Sequence, residues 1–127
     1  MALLLLQSRI YRADLKVNPQ VLYVFGDNEQ RWGRGGQAAE CRDEPNGVGV
    51  ATLYAPGQFW SDQDVNRQCA VIDRDMAPLF EALRAGGTVV FPLDGIGTGL
   101  ADLANRSPAT FKHLLSRVSD LKSLGRN

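Results

Sequence analysis

The sequence predicts an α/β layer fold with a largely parallel or mixed sheet flanked by helices. Three observations carry this. Short β-branched and aromatic runs alternate with segments of helical spacing, the pattern of crossover connections. Two glycine-rich loops follow directly on two of the predicted strands. The chain has 127 residues, 44% hydrophobic and 22% charged, which is one domain's worth of material with enough apolar surface for a core. One domain over residues 1–127 is expected.

Taken in order, Leu3–Gln7 is a short apolar run that reads as a strand buried on both faces. Arg12 to Pro19 is polar and ends in Asn-Pro, a turn signal. Gln20 to Phe25 is the clearest strand, closed by Gly26. The first glycine-rich loop, Gly26 to Gly36, follows, and Gln37 to Arg42 has helical composition. Glu44-Pro45-Asn46-Gly47 stops that helix, and Val48 to Leu53 reads as the next strand. Ser61 is placed to cap a short helix over Asp62–Asn66, while Cys69 to Ile72 fits strand or helix equally.

Asp73 to Arg84 carries Met76, Leu79, Phe80 and Leu83 at the spacing of one buried helix face, with Gly86-Gly87 as its stop. Thr88 to Leu93 is a strand that runs into the second glycine-rich loop, Asp94 to Leu103. Ser107 and Pro108 fit the N-cap and first position of a last helix, whose apolar face is Phe111, Leu114, Leu115, Val118 and Leu121.

Composition excludes several classes. The chain has 14 basic and 14 acidic residues, so it lacks the basic surplus of a protein that wraps nucleic acid. The locally basic stretch from Arg106 to Asn127 reads as a solvated helix face. Two cysteines make neither a disulfide framework nor a zinc spacing, and His113 is the one histidine, so no metal site and no cofactor are expected. Cys41 reads as a small core residue and His113 as a structural one. Leu3–Leu6 is far too short for a membrane span and lacks the flanks of a signal peptide. The expected compartment is cytoplasmic, with no membrane partner.

The two loops suit a phosphate. Glycine lets the backbone take positive φ and approach a ligand, and successive amides can converge on an anion. A helix N-terminus after each loop adds to the field. The two bends are expected on one edge of the sheet, cupping a pyrophosphate with main-chain amides. Asp27 and Asn28, just past a strand end, suit sugar hydroxyls or a water, or only the turn. Trp32 suits a stacked base or a loop anchor. Gly33 to Ala38 formally matches a dinucleotide fingerprint. However, six residues separate it from Gly26, and no acidic residue follows at the ribose position. No P-loop motif is present.

Four segments, in order, resemble those of the macrodomain family. Arg12-Ala13-Asp14-Leu15 resembles the segment whose Asp binds adenine. Val24-Phe25-Gly26-Asp27-Asn28 resembles the strand whose Asn reaches the distal ribose. Gly33-Arg34-Gly35-Gly36-Gln37-Ala38 resembles the loop beside that ribose. Gly95-Ile96-Gly97-Thr98-Gly99-Leu100 resembles the loop around the phosphates. The resemblance implies a three-layer macro-like domain that binds ADP-ribose or ADP-ribosyl groups. The implied partner is ADP-ribose or an ADP-ribosylated macromolecule, with nucleic acid only as a modified substrate.

The implied ligand-binding set is Asp14, Asn28, Gly33, Gly35, Gly36, Gln37, Gly95, Ile96, Gly97, Thr98 and Gly99. Removal of ADP-ribose would use Asp27 or Asp102 as general base. The catalytic lysine of one hydrolase branch is replaced here by Leu53, so binding is better founded than catalysis. A non-catalytic reader or scavenger of an NAD-derived nucleotide is the alternative. An oxidoreductase-like dinucleotide site and an interaction protein whose loops are only turns are the further rivals.

Overall fold

The computed structural model describes residues 1–126. Asn127, the end of the basic C-terminal stretch, lies outside the described residues. Strands β1 (Leu3–Gln7), β2 (Leu22–Asn28), β3 (Gly47–Leu53) and β4 (Thr88–Pro92) form a four-stranded sheet in the order β1-β4-β2-β3. All three strand pairings are parallel. The helices are α1 (Arg12–Val17), α2 (Ala38–Cys41), α3 (Val65–Arg84), α4 (Leu103–Arg106) and α5 (Pro108–Leu124).

Strand side chains alternate between two faces, and each face is covered differently. Leu4, Val24, Val50, Val89 and Phe91 face α3 and α5, which contribute Ile72, Met76, Leu79, Leu114 and Leu121. Tyr23, Phe25 and Val90 face the short helices α1 and α2 through Leu15, Ala38 and Cys41. Each fully buried aliphatic side chain contributes about 1.5–3 kcal/mol, so the long-helix face holds most of the stabilisation. No helix among the described residues is long and apolar enough to cross a membrane.

Two burial expectations are corrected: Leu5 and Leu6 of β1 are exposed, so this edge strand is not buried on both faces, and Leu115 of α5 is exposed and off the helix's buried face. Four segments also differ from the sequence expectation. Arg12–Val17 is helical, although it buries only Leu15 and so shows no apolar spacing; Asp14 starts it by accepting from Tyr11 N at 2.9 Å. Strand β2 continues through Gly26, Asp27 and Asn28, because these residues pair with Val50, Ala51 and Leu53. The short helix at Ser61 is a 3-10 turn, Asp62–Asp64, that leads straight into α3, so Cys69–Ile72 is helix. Leu103–Arg106 forms an extra single turn before α5.

Candidate functional site

Strands β2 and β4 are neighbours, with Leu22 opposite Val89 and Tyr23 opposite Val90. The chain leaves β2 for α2 on one face of the sheet and leaves β4 for α5 on the other. Adjacent parallel strands with diverging connections form a topological switch point, the usual place for a ligand in an open α/β sheet. The two glycine-rich loops are those two connections, residues 29–37 and 93–102.

The first loop is held by side chains. A register shift between Asp27 and Asn28 marks the end of β2, and such irregularities re-aim side chains. Asp27 is buried and accepts from Arg42 at 2.5 Å and from the Asn28 amide at 2.8 Å. Arg31 approaches the same carboxylate at 3.6 Å, and its Nη2 donates to both carboxylate oxygens of Asp75 in α3, at 2.7 and 2.8 Å. Asp75 also caps the outward amide of Ala51 on edge strand β3 at 2.9 Å. Arg42 donates to Gly33 O at 2.8 Å, and Asn28 Nδ2 donates to Trp32 O at 2.7 Å. Arg31 sits at φ 59° and Gly33 at φ 99°, so the loop bends through left-handed backbone at both.

Asn28 is 6% exposed, and its Oδ1 has no hydrogen-bond partner among the described residues. An unpaired buried acceptor costs roughly 1–3 kcal/mol, and such an atom in a native fold calls for an explanation.

The second loop is held by apolar contact. Ile96 turns inward, is 5% exposed, and lies beside Gly26 of β2. Gly97 has φ 75°, and a Cβ there would stand 3.2 Å from Thr52 and 3.3 Å from Leu103. Among the described residues the backbone bonds closing the loop are Gly95 N to Pro92 O, Asp102 N to Gly99 O and Leu103 N to Gly97 O. The amides of Ile96 to Ala101 donate to no acceptor among the described residues, and neither do those of Trp32 to Gln37.

Other expected site residues are engaged locally. Asp14 accepts from Gln7 Nε2 at 2.8 Å and from Tyr11 N. Gln37 pairs through both amide atoms with the backbone of Ile10, at 2.8 and 2.9 Å, and so ties α2 to the loop after β1. Asp102 lies at φ 46° and accepts from Asn105 at 2.9 Å. Thr98 is exposed, and its hydroxyl donates to Asp94 O at 3.3 Å. Gly35, Gly36 and Gly99 are exposed. Cys41 behind the first loop is fully buried; burial, reinforced by Glu40, pushes its thiol up to about 11, so it is no nucleophile at neutral pH.

Two expectations are corrected by geometry. The loops share one rim, but Ile96 packs against Gly26 at its base, and neither of the two hollows there is lined by both loops. The hollows lie to either side. One of about 590 Å³ runs along edge strand β3, lined by Asp27, Arg31, Arg42, Gly49 and Asp75 among others. One of about 180 Å³ lies between the second loop and α5, lined by Asp94, Gly95, Ile96, Thr98 and Leu115 among others. The helices after the loops are also single turns, so the anion field there comes from individual amides rather than a macrodipole.

Sequence reasoning did not assign Arg31, Arg42 or Asp75 to the site. Arg31 and Asp75 are 44 residues apart, and no local pattern joins them. The arginines flanking a strand-end Asp were the one available signal.

Comparison with known proteins corrects the family. The family model that matches covers residues 5–117, which include all four segments on which the macrodomain resemblance rested, and it is not a macrodomain model. Glycine turns after parallel strands are what many α/β rims require, so those motifs carry less identity than their order suggested. No curated protein and no solved structure matches the chain. The chain belongs to the matched family, described as a family of unknown function (DUF7831).

Proposed function

We propose that the protein binds a phosphorylated nucleotide across the rim at the β2/β4 switch point, with ADP-ribose as the reference ligand. The observation that carries this reading is the unpartnered Oδ1 of Asn28 at the end of a central strand. A sugar hydroxyl supplies the missing donor. The undonated amides of residues 96–101 and 32–37 are neutral hydrogen-bond donors for phosphate oxygens, which suits a chain with no net charge. The ligand class covers a free nucleotide and the nucleotide end of a modified macromolecule.

The reading is binding rather than turnover. Asp27 faces two guanidinium groups and a backbone amide, and Asp102 is bonded to Asn105. Both carboxylates are engaged by the chain's own groups.

Titration calorimetry with ADP-ribose, ADP, NAD and inorganic pyrophosphate tests it, with product analysis of the ADP-ribose sample. Saturable binding that Asn28→Ala weakens tenfold or more is expected, with the nucleotide recovered intact. A ligand at 100 times its Kd adds about 2.7 kcal/mol of stability, so thermal unfolding gives an independent readout. Silence in both experiments with all four compounds contradicts the reading.

A further inference from the structure

Aromatic rings on the surface separate into two groups. Tyr11, Trp32, Tyr54 and Phe59 are 49%, 56%, 42% and 37% exposed. Two of them are covered by the chain's own cations: the guanidinium of Arg9 lies 5.2 Å from the Tyr11 ring centre, and that of Arg106 lies 3.6 Å from the Phe59 ring centre. Among the described residues no guanidinium or ammonium lies over Trp32 or Tyr54. Those two uncovered rings sit on neighbouring loops at the carboxyl rim. Glu29 N donates to Leu53 O at 3.0 Å and Gln30 N to Tyr54 O at 3.3 Å, which lashes the loops together.

The position of Trp32 is fixed by the site itself. Its carbonyl accepts from Asn28 Nδ2, and the other atom of that amide is the unpartnered Oδ1. One amide group therefore holds the Trp32 backbone through its Nδ2 and carries a buried, unpartnered acceptor on its other atom.

We propose that Trp32 is the base platform of the site: a nucleobase stacks on its indole while the attached ribose donates a hydroxyl to Asn28 Oδ1. Tyr54 lies on the adjoining loop, whose backbone is bonded to that of Gln30. This rests on the nucleotide reading above and deepens it, because it makes the base itself a determinant of affinity. Aromatic stacking accepts any base, so the platform supplies affinity without strong base selectivity.

The test compares wild type, Trp32→Phe and Trp32→Ala by titration calorimetry with AMP and with ribose 5-phosphate. Trp32 is exposed and its hydrogen bond uses the backbone, so both variants keep the fold, which thermal unfolding checks. Trp32→Ala is expected to weaken AMP tenfold or more, and Trp32→Phe to stay within about threefold of wild type. Ribose 5-phosphate binding stays the same in all three proteins. Equal loss of both ligands in Trp32→Ala, or loss of neither, overturns the platform while leaving the switch-point reading standing. Failure of wild type to bind either ligand overturns both.

Discussion

The two glycine-rich loops have similar composition and the same position in the fold, but they are anchored by different forces. The loop after β2 is held by a polar web in which Asp27, Arg42, Arg31 and Asp75 fix its carbonyls and its arginine. The loop after β4 is held by Ile96 packed over Gly26 and by the fit of Gly97 against Leu103. A charge web depends on every partner being present, whereas an apolar anchor depends on volume. Both arrangements leave a run of backbone amides undonated at the same rim. Anchoring and binding are therefore separate tasks: side chains and core hold each loop, and the backbone remains available.

That comparison breaks first at Asp27. Asp27→Ala leaves the 12% exposed side chain of Arg42 without its carboxylate and should cost about 3–5 kcal/mol in urea denaturation. A cost under 1 kcal/mol would mean the web does not hold the first loop. Ile96→Ala should cost about 2–4 kcal/mol, with no dependence on salt, because what it loses is packing.

Alkaline pH should act on the first loop's support. The unfolded Cys41 thiol ionises near 9, and the folded one holds its proton to about 11. Over that window the unfolded state binds fewer protons, so stability falls as pH rises, by about 2–3 kcal/mol. Burial also raises Tyr23, which adds to the fall at the alkaline end in any variant. The Cys41 share is the difference between wild type and Cys41→Ala in denaturation series from pH 8 to 11.

Arg31→Ala should cost about 1 kcal/mol, less at high salt, because Arg31 is partly exposed. The smallest stability effect is expected at Asn28. Asn28→Ala removes one hydrogen bond but also an unsatisfied buried oxygen, so unliganded stability should stay within about 1 kcal/mol of wild type. Its ligand affinity should nonetheless collapse. A large loss of stability would make Asn28 a structural residue.

The parts of the fold that were legible in the sequence are those whose burial is apolar and periodic. β3, β4 and α5 lie within a residue or two of expectation, and β1 has its expected bounds but not its expected burial, because Leu5 and Leu6 at the sheet edge are exposed. The first half of α3 was not legible, because its buried Gln68 breaks the apolar spacing. Gln68 accepts from Ser107 at 3.1 Å and Thr110 at 2.6 Å and donates to Ser61 O at 2.8 Å, a polar junction between distant segments. The rim position of both loops followed from strands running parallel. The inward turn of Ile96 did not, since Gly-Ile-Gly-Thr-Gly reads as an exposed bend. The macrodomain resemblance failed for a related reason, as rim glycines report backbone geometry more than ancestry.

Amide chemical-shift mapping by ¹⁵N NMR, with ADP-ribose titrated into the labelled protein, tests the central claim most directly. The account predicts concerted, saturable shifts in Gly33–Gly36 and Gly97–Leu100, together with the Asn28 side-chain amide and the Trp32 indole. Shifts confined to the hollow along β3, around Gly49 and Asp75, or no shifts at any concentration, would contradict it.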